Sequence, residues 1–436
     1  MRVLWLCNLI LPEIAQALGL PSIPKEGWVA GLFDALLQRE GDIRIGLCFP
    51  VSDPAHAGSG TVRPKAHPER EVSYYAFPED TASPERYDPA LEGHLKGILQ
   101  SFSPDLVHCF GTEYPHTLAM ARAFGRPEKL LISVQGVMDV YAERYFSNLP
   151  ERVRDSVTLR DLLKRDTLRR QQEKFEIRAG FERQALSLAL HHGGRTSFDR
   201  GLSERTNPHA VYHHLGETLR REFYEAATDP EEGTPRHPHR IFVSQADYPI
   251  KGFHYLLEAA GELQKAWPDL EIAAAGQDVT GGGSLKRRIL IGAYGRELKR
   301  LLRKYGLRDR VHFLGRLDAA GMIREYRSCG VYLCCSSIEN SPNSLGEAML
   351  LGTPVVAARV GGIPDMCLPE EGTLYECGAD DPQDTVAEAL RKALEEVFRD
   401  PDRAAAKTVP ARAHARKSYD PECNVTALLD TYRSMN

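Results

Sequence analysis

The sequence predicts an α/β protein of two successive units, each a parallel sheet wound with helices. Three observations carry this. Short apolar runs of strand length alternate with longer amphipathic stretches, the pattern of strands buried on both faces. The alternation stops in a polar stretch near residue 230 and then restarts. The 436 residues, 42% hydrophobic and 26% charged, exceed what one core comfortably spans.

In chain order, VLWLC (Val3 to Cys7), IRIGLCF (Ile43 to Phe49), DLVHCF (Asp105 to Phe110), KLLISV (Lys129 to Val134) and LSLALHH (Leu186 to His192) read as strands of the first unit. The opening run loosely imitates a secretory signal. Asn8 interrupts it and Pro12 and Glu13 follow, so a buried first strand is expected instead. His56 to Arg70 reads as a surface loop. Glu151 to Arg183 reads as long and helical, with ten Lys/Arg against seven Asp/Glu. It fits either a solvated helical pair or a basic amphipathic surface lying on anionic lipid. DPEEGTPRHPHR, Asp229 to Arg240, has linker composition. RIFVSQ, LEIAAAG, RVHFLG, GVYLCC and TPVVAA then supply the strands of the second unit. The expected division is residues 1–228, a linker over 229–240, a second domain over 241–415, and a terminal helix over 416–436 crossing back to the first domain.

A net charge of −5 argues against a general nucleic-acid binder, which needs a basic surface. Nine scattered cysteines without a C-x-x-C or Cys/His cluster point to reduced thiols in a cytosol and give no metal site. No apolar stretch reaches membrane-spanning length.

SSIENSPNSLGEAMLLGTPVV carries Glu339 and Glu347 with seven residues between them. Glu339 follows a strand, where open parallel sheets bind ligands. The chain then enters a helix whose first N–H groups, at Asn343, Ser344 and Leu345, suit an anion. Ser344-x-x-Glu347 is equally a capping box, and Glu339 equally an exposed loop acid. Lys251 opens the helix FHYLLEAAGEL, where a cation opposes the helix dipole by about 0.3–1 kcal/mol. It faces an anion or points into water. Gly27 either begins a helix or lets backbone approach a ligand. Glu113 and His116 in GTEYPH fall beyond the strand DLVHCF and face the ligand crevice, whereas His108 inside that strand reads as a core histidine. Gly361 and Gly362 bring N–H groups close to a substrate or form a plain turn. Asp380-Asp381 sits in a loop and is not read as holding a metal.

IENSPNSLGEAMLLGTPVVAARVGGIPDM resembles the E-x7-E region of the retaining family 4 glycosyltransferases. FVSQADYPIKGFHYLLEAA resembles that family's phosphate-binding strand, loop and helix, and RELKRLLRKYGLRDRVHFLG the helix and strand before its signature. WLCNLILPEIA, EGWVAGL, FGTEYPH, GRTSFDR and HHLGETLR are similar to a bacterial subgroup from polysaccharide loci. The resemblance implies the GT-B fold, two Rossmann-like domains with parallel sheets facing across a cleft, the first for the acceptor and the second for the nucleotide-sugar. It implies that Glu347 binds the ribose of a UDP- or GDP-sugar, that Glu339 lies against the transferred sugar, and that Lys251 and the N–H groups of Asn343 to Leu345 hold the diphosphate. Transfer would be retaining, without metal or bound cofactor. The acceptor would be a glycan or lipid-linked glycan at the cytoplasmic face of the inner membrane, with peripheral membrane contact. Two positions depart from the family: Gln245 stands where many relatives carry Arg, and Phe110 where many carry His, leaving His116 or Glu113 to meet the donor sugar. A nucleotide-sugar epimerase on the same fold and a non-catalytic sugar-nucleotide scaffold are the rival readings.

Overall fold

The computed structural model describes residues 1–20, 27–39, 43–228, 236–282 and 289–436. The chain divides into two compact units, and each takes a segment from outside its main stretch. The first comprises Met1–Asp139, Lys174–Arg220 and Ser418–Asn436, the second Val140–Glu173 and Arg221–Lys417.

The first unit is built on β1 (Arg2–Cys7), β2 (Arg44–Val51), β3 (Gly58–Val62), β4 (Val72–Pro78), β5 (Leu106–Phe110), β6 (Leu130–Ser133), β7 (His191–Gly194) and β8 (Val211–His214). They form one sheet in the order β3-β4-β2-β1-β5-β6-β7-β8, parallel except where β3 runs against β4. The run that imitated a signal is thus central strand β1. Its Trp5 packs edge-on to Phe33 and lies 4.6 Å from Phe110, centroid to centroid. Helix Gly27–Gln38 and helix Pro421–Met435 bury Phe33, Leu36, Val425, Leu428 and Tyr432 in the same cluster. Each such side chain contributes roughly 1.5–3 kcal/mol. Tyr432 Oη meets His108 Nδ1 at 2.7 Å and Ser133 Oγ meets Nε2 at 2.7 Å. Burial pushes the His108 pKa well below the usual imidazole value, so it is a neutral core residue.

Three expectations for this part of the chain are corrected. The polar stretch His56–Arg70 contains strand β3, paired on the sheet edge. The strand expected over Leu186–His192 starts only at His191, because Ala185 and Leu186 complete the buried end of helix Leu168–Ser187. Its glycines are required by packing: a Cβ on Gly193 would sit 2.6 Å from Ser133 Oγ. The long helical stretch is three helices, Glu151–Arg154, Leu159–Lys164 and Leu168–Ser187, with Arg165 left-handed at φ 51° between the last two.

The second unit holds β9 (His237–Val243), β10 (Glu271–Ala275), β11 (Val311–Gly315), β12 (Cys329–Cys334), β13 (Val355–Ala358) and β14 (Thr373–Tyr375), all parallel in the order β11-β10-β9-β12-β13-β14. Strand β9 takes up the end of the expected linker, and residues 229–235 lie outside the described residues. Val140–Glu173 joins this unit rather than an unbroken 1–228 domain, through polar anchors. Asn148 Nδ2 donates to the carbonyls of Gly378, Ala379 and Asp381 and its Oδ1 accepts from Tyr255 Oη, while Arg152 makes a bidentate pair with Glu297.

Candidate functional site

In the second unit the loops after β9 and β12 converge. Lys251 ends a short 3-10 turn, Pro249–Lys251, and Gly252 at φ 67° turns the chain into helix Phe253–Ala266. Lys251 Nζ donates to Glu339 Oε1 at 2.5 Å, and Ser336 Oγ donates to the same oxygen at 2.7 Å. Both charged side chains are mostly buried, 18% and 9% exposed. Desolvation works against the ammonium, but the Glu339 carboxylate overcomes it and holds the lysine pKa above its usual value. Two glycines make the approach possible. A Cβ on Gly252 would lie 1.9 Å from Cys335 O, and one on Gly361, at φ 53°, 1.9 Å from Glu339 O. Gly361 is therefore a packing requirement of the Glu339 loop, and Gly362 N–H donates to that same carbonyl at 3.0 Å.

Helix Asn343–Leu350 follows, with Pro342 as its N-cap and no side-chain cap. The capping-box reading of Ser344 and Glu347 is corrected: the helix starts two residues too early for Ser344 to cap it. Glu347 Oε2 accepts instead from Tyr326 Oη at 3.0 Å, and Ser344 Oγ from Tyr332 Oη at 2.6 Å. Leu345 N–H is already donated to Pro342 O at 2.9 Å, so the open end of this helix is at Asn343 and Ser344. Asn343 Oδ1 is buried with no hydrogen-bond partner among the described residues.

Beside these loops a cavity of about 750 Å³ reaches the carboxyl ends of β9, β10 and β11, with Asp247, Tyr248, Gln277 and Gly315 in its wall. Arg160 and Lys164, from the segment that joins this unit out of sequence, line it as well. Asp247 Oδ1 is a second buried acceptor without a hydrogen-bond partner among the described residues. Gln245 sits between β9 and β10, its Cγ 4.0 Å from where a Gly276 Cβ would lie.

In the first unit the corresponding edge carries a buried polar chain. Glu113 Oε1 accepts from Gly136 N at 2.9 Å and Oε2 from Asn8 Nδ2 at 3.2 Å. Asn8 Nδ2 also donates to Gln135 Oε1, and Asn8 Oδ1 faces His116 Nε2 at 3.0 Å. His116 Nδ1 lies 2.6 Å from Glu79 Oε2. With both ring nitrogens engaged and no exposure at all, His116 is an interior residue rather than the crevice-facing one expected, while Glu113 is half-buried. Gly111, at φ 98°, is the residue this chain needs: a Cβ there would lie 2.3 Å from Glu113 Oε2. Glu182, fully buried, accepts from Thr112 Oγ1 and from Met138 N–H, and burial raises its pKa to about 8. Gly27 begins helix Gly27–Gln38, where a Cβ would meet the Arg220 side chain at 2.8 Å. Phe110 is in the aromatic core.

Residues 226–408 match the family model described as glycosyl transferases group 1. The matched stretch lies within the second unit and takes in both Lys251 and the Glu339 to Glu347 segment. A D-inositol 3-phosphate glycosyltransferase of Corynebacterium urealyticum is 30% identical over 186 residues, 43% of this chain and 41% of that protein. A phosphatidyl-myo-inositol mannosyltransferase of Mycobacterium leprae is 32% identical over 120 residues, 27% of each. The matched stretches thus span well under half of these relatives. Whole-chain similarity to solved structures shows the GT-B fold. Sucrose-phosphate synthase from Thermosynechococcus elongatus superposes with a TM-score of 0.66 at 17% identity, covering 100% of this chain and 99% of that one. Anabaena HepE in complex with UDP-glucose gives 0.63 at 16% identity, covering both chains fully.

Sequence reasoning missed Asn8, Gln135, Glu182 and Asp247. Asn8 and Gln135 directly follow an expected strand and Asp247 comes two residues after one, so taking the first polar residues after every apolar run would have found them. Glu182 has no such signal, because its partners lie 44 and 70 residues away.

Proposed function

We propose that this chain transfers a sugar from a UDP- or GDP-sugar to a glycan or lipid-linked glycan, with retention of anomeric configuration and without a metal, at the cytoplasmic face of the inner membrane in polysaccharide biosynthesis. The observation that carries the reading is the convergence of Lys251, Glu339 and the open N-terminus of helix Asn343–Leu350 at the carboxyl ends of β9 and β12, inside a group 1 glycosyl transferase domain. An ammonium has three donors. One is given to Glu339, so Lys251 can hold a phosphate oxygen while keeping its partner. As the sugar–phosphate bond breaks, negative charge grows on the leaving diphosphate and positive charge on the sugar. Lys251 and the N–H groups of Asn343 and Ser344 stabilise the first, and the fixed Glu339 carboxylate the second. Glu347, oriented by Tyr326, is the carboxylate that receives the ribose hydroxyls. Gln245 hydrogen-bonds a phosphate without neutralising it, which places more of the charge on Lys251. Glu113, pinned at Gly136 and Asn8, is the group of the first unit that meets a sugar hydroxyl.

The test is kinetic. Glu339→Gln lowers kcat by about 10² to 10³, the loss that follows removal of one preorganised electrostatic contact. Glu347→Gln chiefly raises the donor KM, because ribose does not change during reaction. Activity survives EDTA. The reverse kinetic pattern, or loss on chelation restored by Mg, overturns these assignments. Donor interconversion without acceptor would make the protein an epimerase, and donor binding with neither transfer nor hydrolysis a scaffold. A thermal-shift panel of nucleoside diphosphate sugars identifies the base, since a ligand at 100 times its Kd adds about 2.7 kcal/mol.

A further inference from the structure

Helix Leu159–Lys164 is amphipathic the wrong way round for a protein surrounded by water. Its inward side is polar. Thr158 and Asp161, each 2% exposed, close a reciprocal capping box, and Arg160 bonds to Asp161 and Asp166. Its outward side is leucine: Leu159 is 49% exposed, Leu162 66% and Leu163 67%, with Val157 at 50% just before the box. Of the eleven large exposed hydrophobics among the described residues, four fall within these seven positions. Soluble surfaces scatter such residues singly, and a cluster marks a contact.

The charges beside the cluster select the partner. Lys164 and Arg165 directly follow the leucines and form no ion pair among the described residues. Arg152, Arg169 and Arg170, elsewhere in the basic stretch, are neutralised by Glu297, Asp155 and Glu173. The lipid contact that the sequence spread over Arg152 to Arg183 therefore narrows to one short helix. A six-residue helix also presents far less than the roughly 1,200–2,000 Å² a stable protein interface buries, whereas a few apolar side chains with adjacent cations suffice at a lipid surface.

We infer that Val157 to Arg165 is a membrane-docking tip: its leucines enter the acyl boundary of an anionic bilayer while Lys164 and Arg165 meet headgroup phosphates. The inference deepens the proposed use of a lipid-linked acceptor and rests on it for purpose alone, because docking is measured without transfer. Arg160 and Lys164 also line the cavity of the second unit, so one helix serves both the bilayer and the ligand space.

The experiment floats the full chain with phosphatidylcholine vesicles, with and without phosphatidylglycerol. The wild type binds the anionic vesicles and is released by salt. Leu162→Ser with Leu163→Ser weakens binding about tenfold or more, and Lys164→Glu with Arg165→Glu does the same. Thermal melts of both variants stay at the wild-type value, since the altered side chains are exposed. Failure of the wild type to float, or flotation indifferent to the leucine change, overturns the inference. So does a leucine-dependent dimer seen by light scattering without vesicles, which would give the tip to a second copy of the chain. Turnover of a soluble acceptor by the leucine variant separates the two readings. Vesicle binding without any transfer sinks the proposed function and leaves the docking tip standing. Transfer without vesicle binding does the opposite.

Discussion

Glu339 in the second unit and Glu182 in the first are both buried acids beside the carboxyl edge of a parallel sheet, yet their surroundings differ in kind. Glu339 is met by an ammonium at 2.5 Å, whereas Glu182 is met by the Thr112 hydroxyl and the Met138 amide. The first is held as a charge with a fixed partner. The second has its pKa raised by burial to about 8, which favours the neutral acid. Burial of a carboxylate therefore does not by itself say how the site is charged, and the group within hydrogen-bond reach does.

Removing one member of the ion pair is the most damaging way to break this contrast. Lys251→Ala or Glu339→Ala leaves an uncompensated charge in a largely buried place and costs about 3–5 kcal/mol, while Lys251→Met with Glu339→Leu costs much less than the sum of the singles. Urea denaturation of the three variants measures this, and additive losses would mean that the pair is not coupled.

The pH dependence sharpens the same contrast. In the folded chain Glu182 keeps a proton that the unfolded chain sheds above its ordinary carboxyl range. Its contribution therefore makes stability fall as pH rises from about 5 to 8, by up to about 1.4 kcal/mol per unit, and level off above 8. Glu182→Gln removes that slope, so the difference between wild type and variant across pH 5 to 9 is the quantity to measure. The raised Lys251 pKa acts elsewhere: its contribution is complete below the unfolded value near 10 and is lost only as pH climbs through the higher folded one. Lys251 gives no slope in the window where Glu182 does.

Smaller effects test the supports of the charged site. Gly361→Ala forces a side chain into a left-handed position against Glu339 O and costs about 1–3 kcal/mol in thermal unfolding. Tyr326→Phe removes one hydrogen bond from Glu347 and costs about 1 kcal/mol. It raises the donor KM modestly and leaves kcat in place if Glu347 binds ribose.

Much of this architecture was legible in the sequence. Strands β1, β2, β5, β6 and β9 to β13 announce themselves as apolar runs because parallel strands are covered on both faces. Strand β7 does not, since HHGG carries no apolar residue and is placed by Gly193 fitting against Ser133. Helix breaks at Asp155 and Arg165 were hidden by a continuous charge pattern. For the site, the meeting of Lys251 with the E-x7-E stretch follows from their shared place after strands. The use of Glu347 by Tyr326, and of His116 by Glu79 and Asn8, depends on contacts across 21, 37 and 108 residues that no local spacing encodes.

The exchange of segments between the units has a consequence for how the protein is made. Helix Pro421–Met435 supplies Val425, Leu428 and Tyr432 to the core around Trp5, but the 197 residues from Arg221 to Lys417 are synthesised before it. At roughly 5–20 residues per second that is an interval of about 10–40 s. Throughout it the first unit stands on the ribosome with its sheet translated, His108 lacking the Tyr432 hydroxyl, and an apolar groove open to any chaperone that finds it.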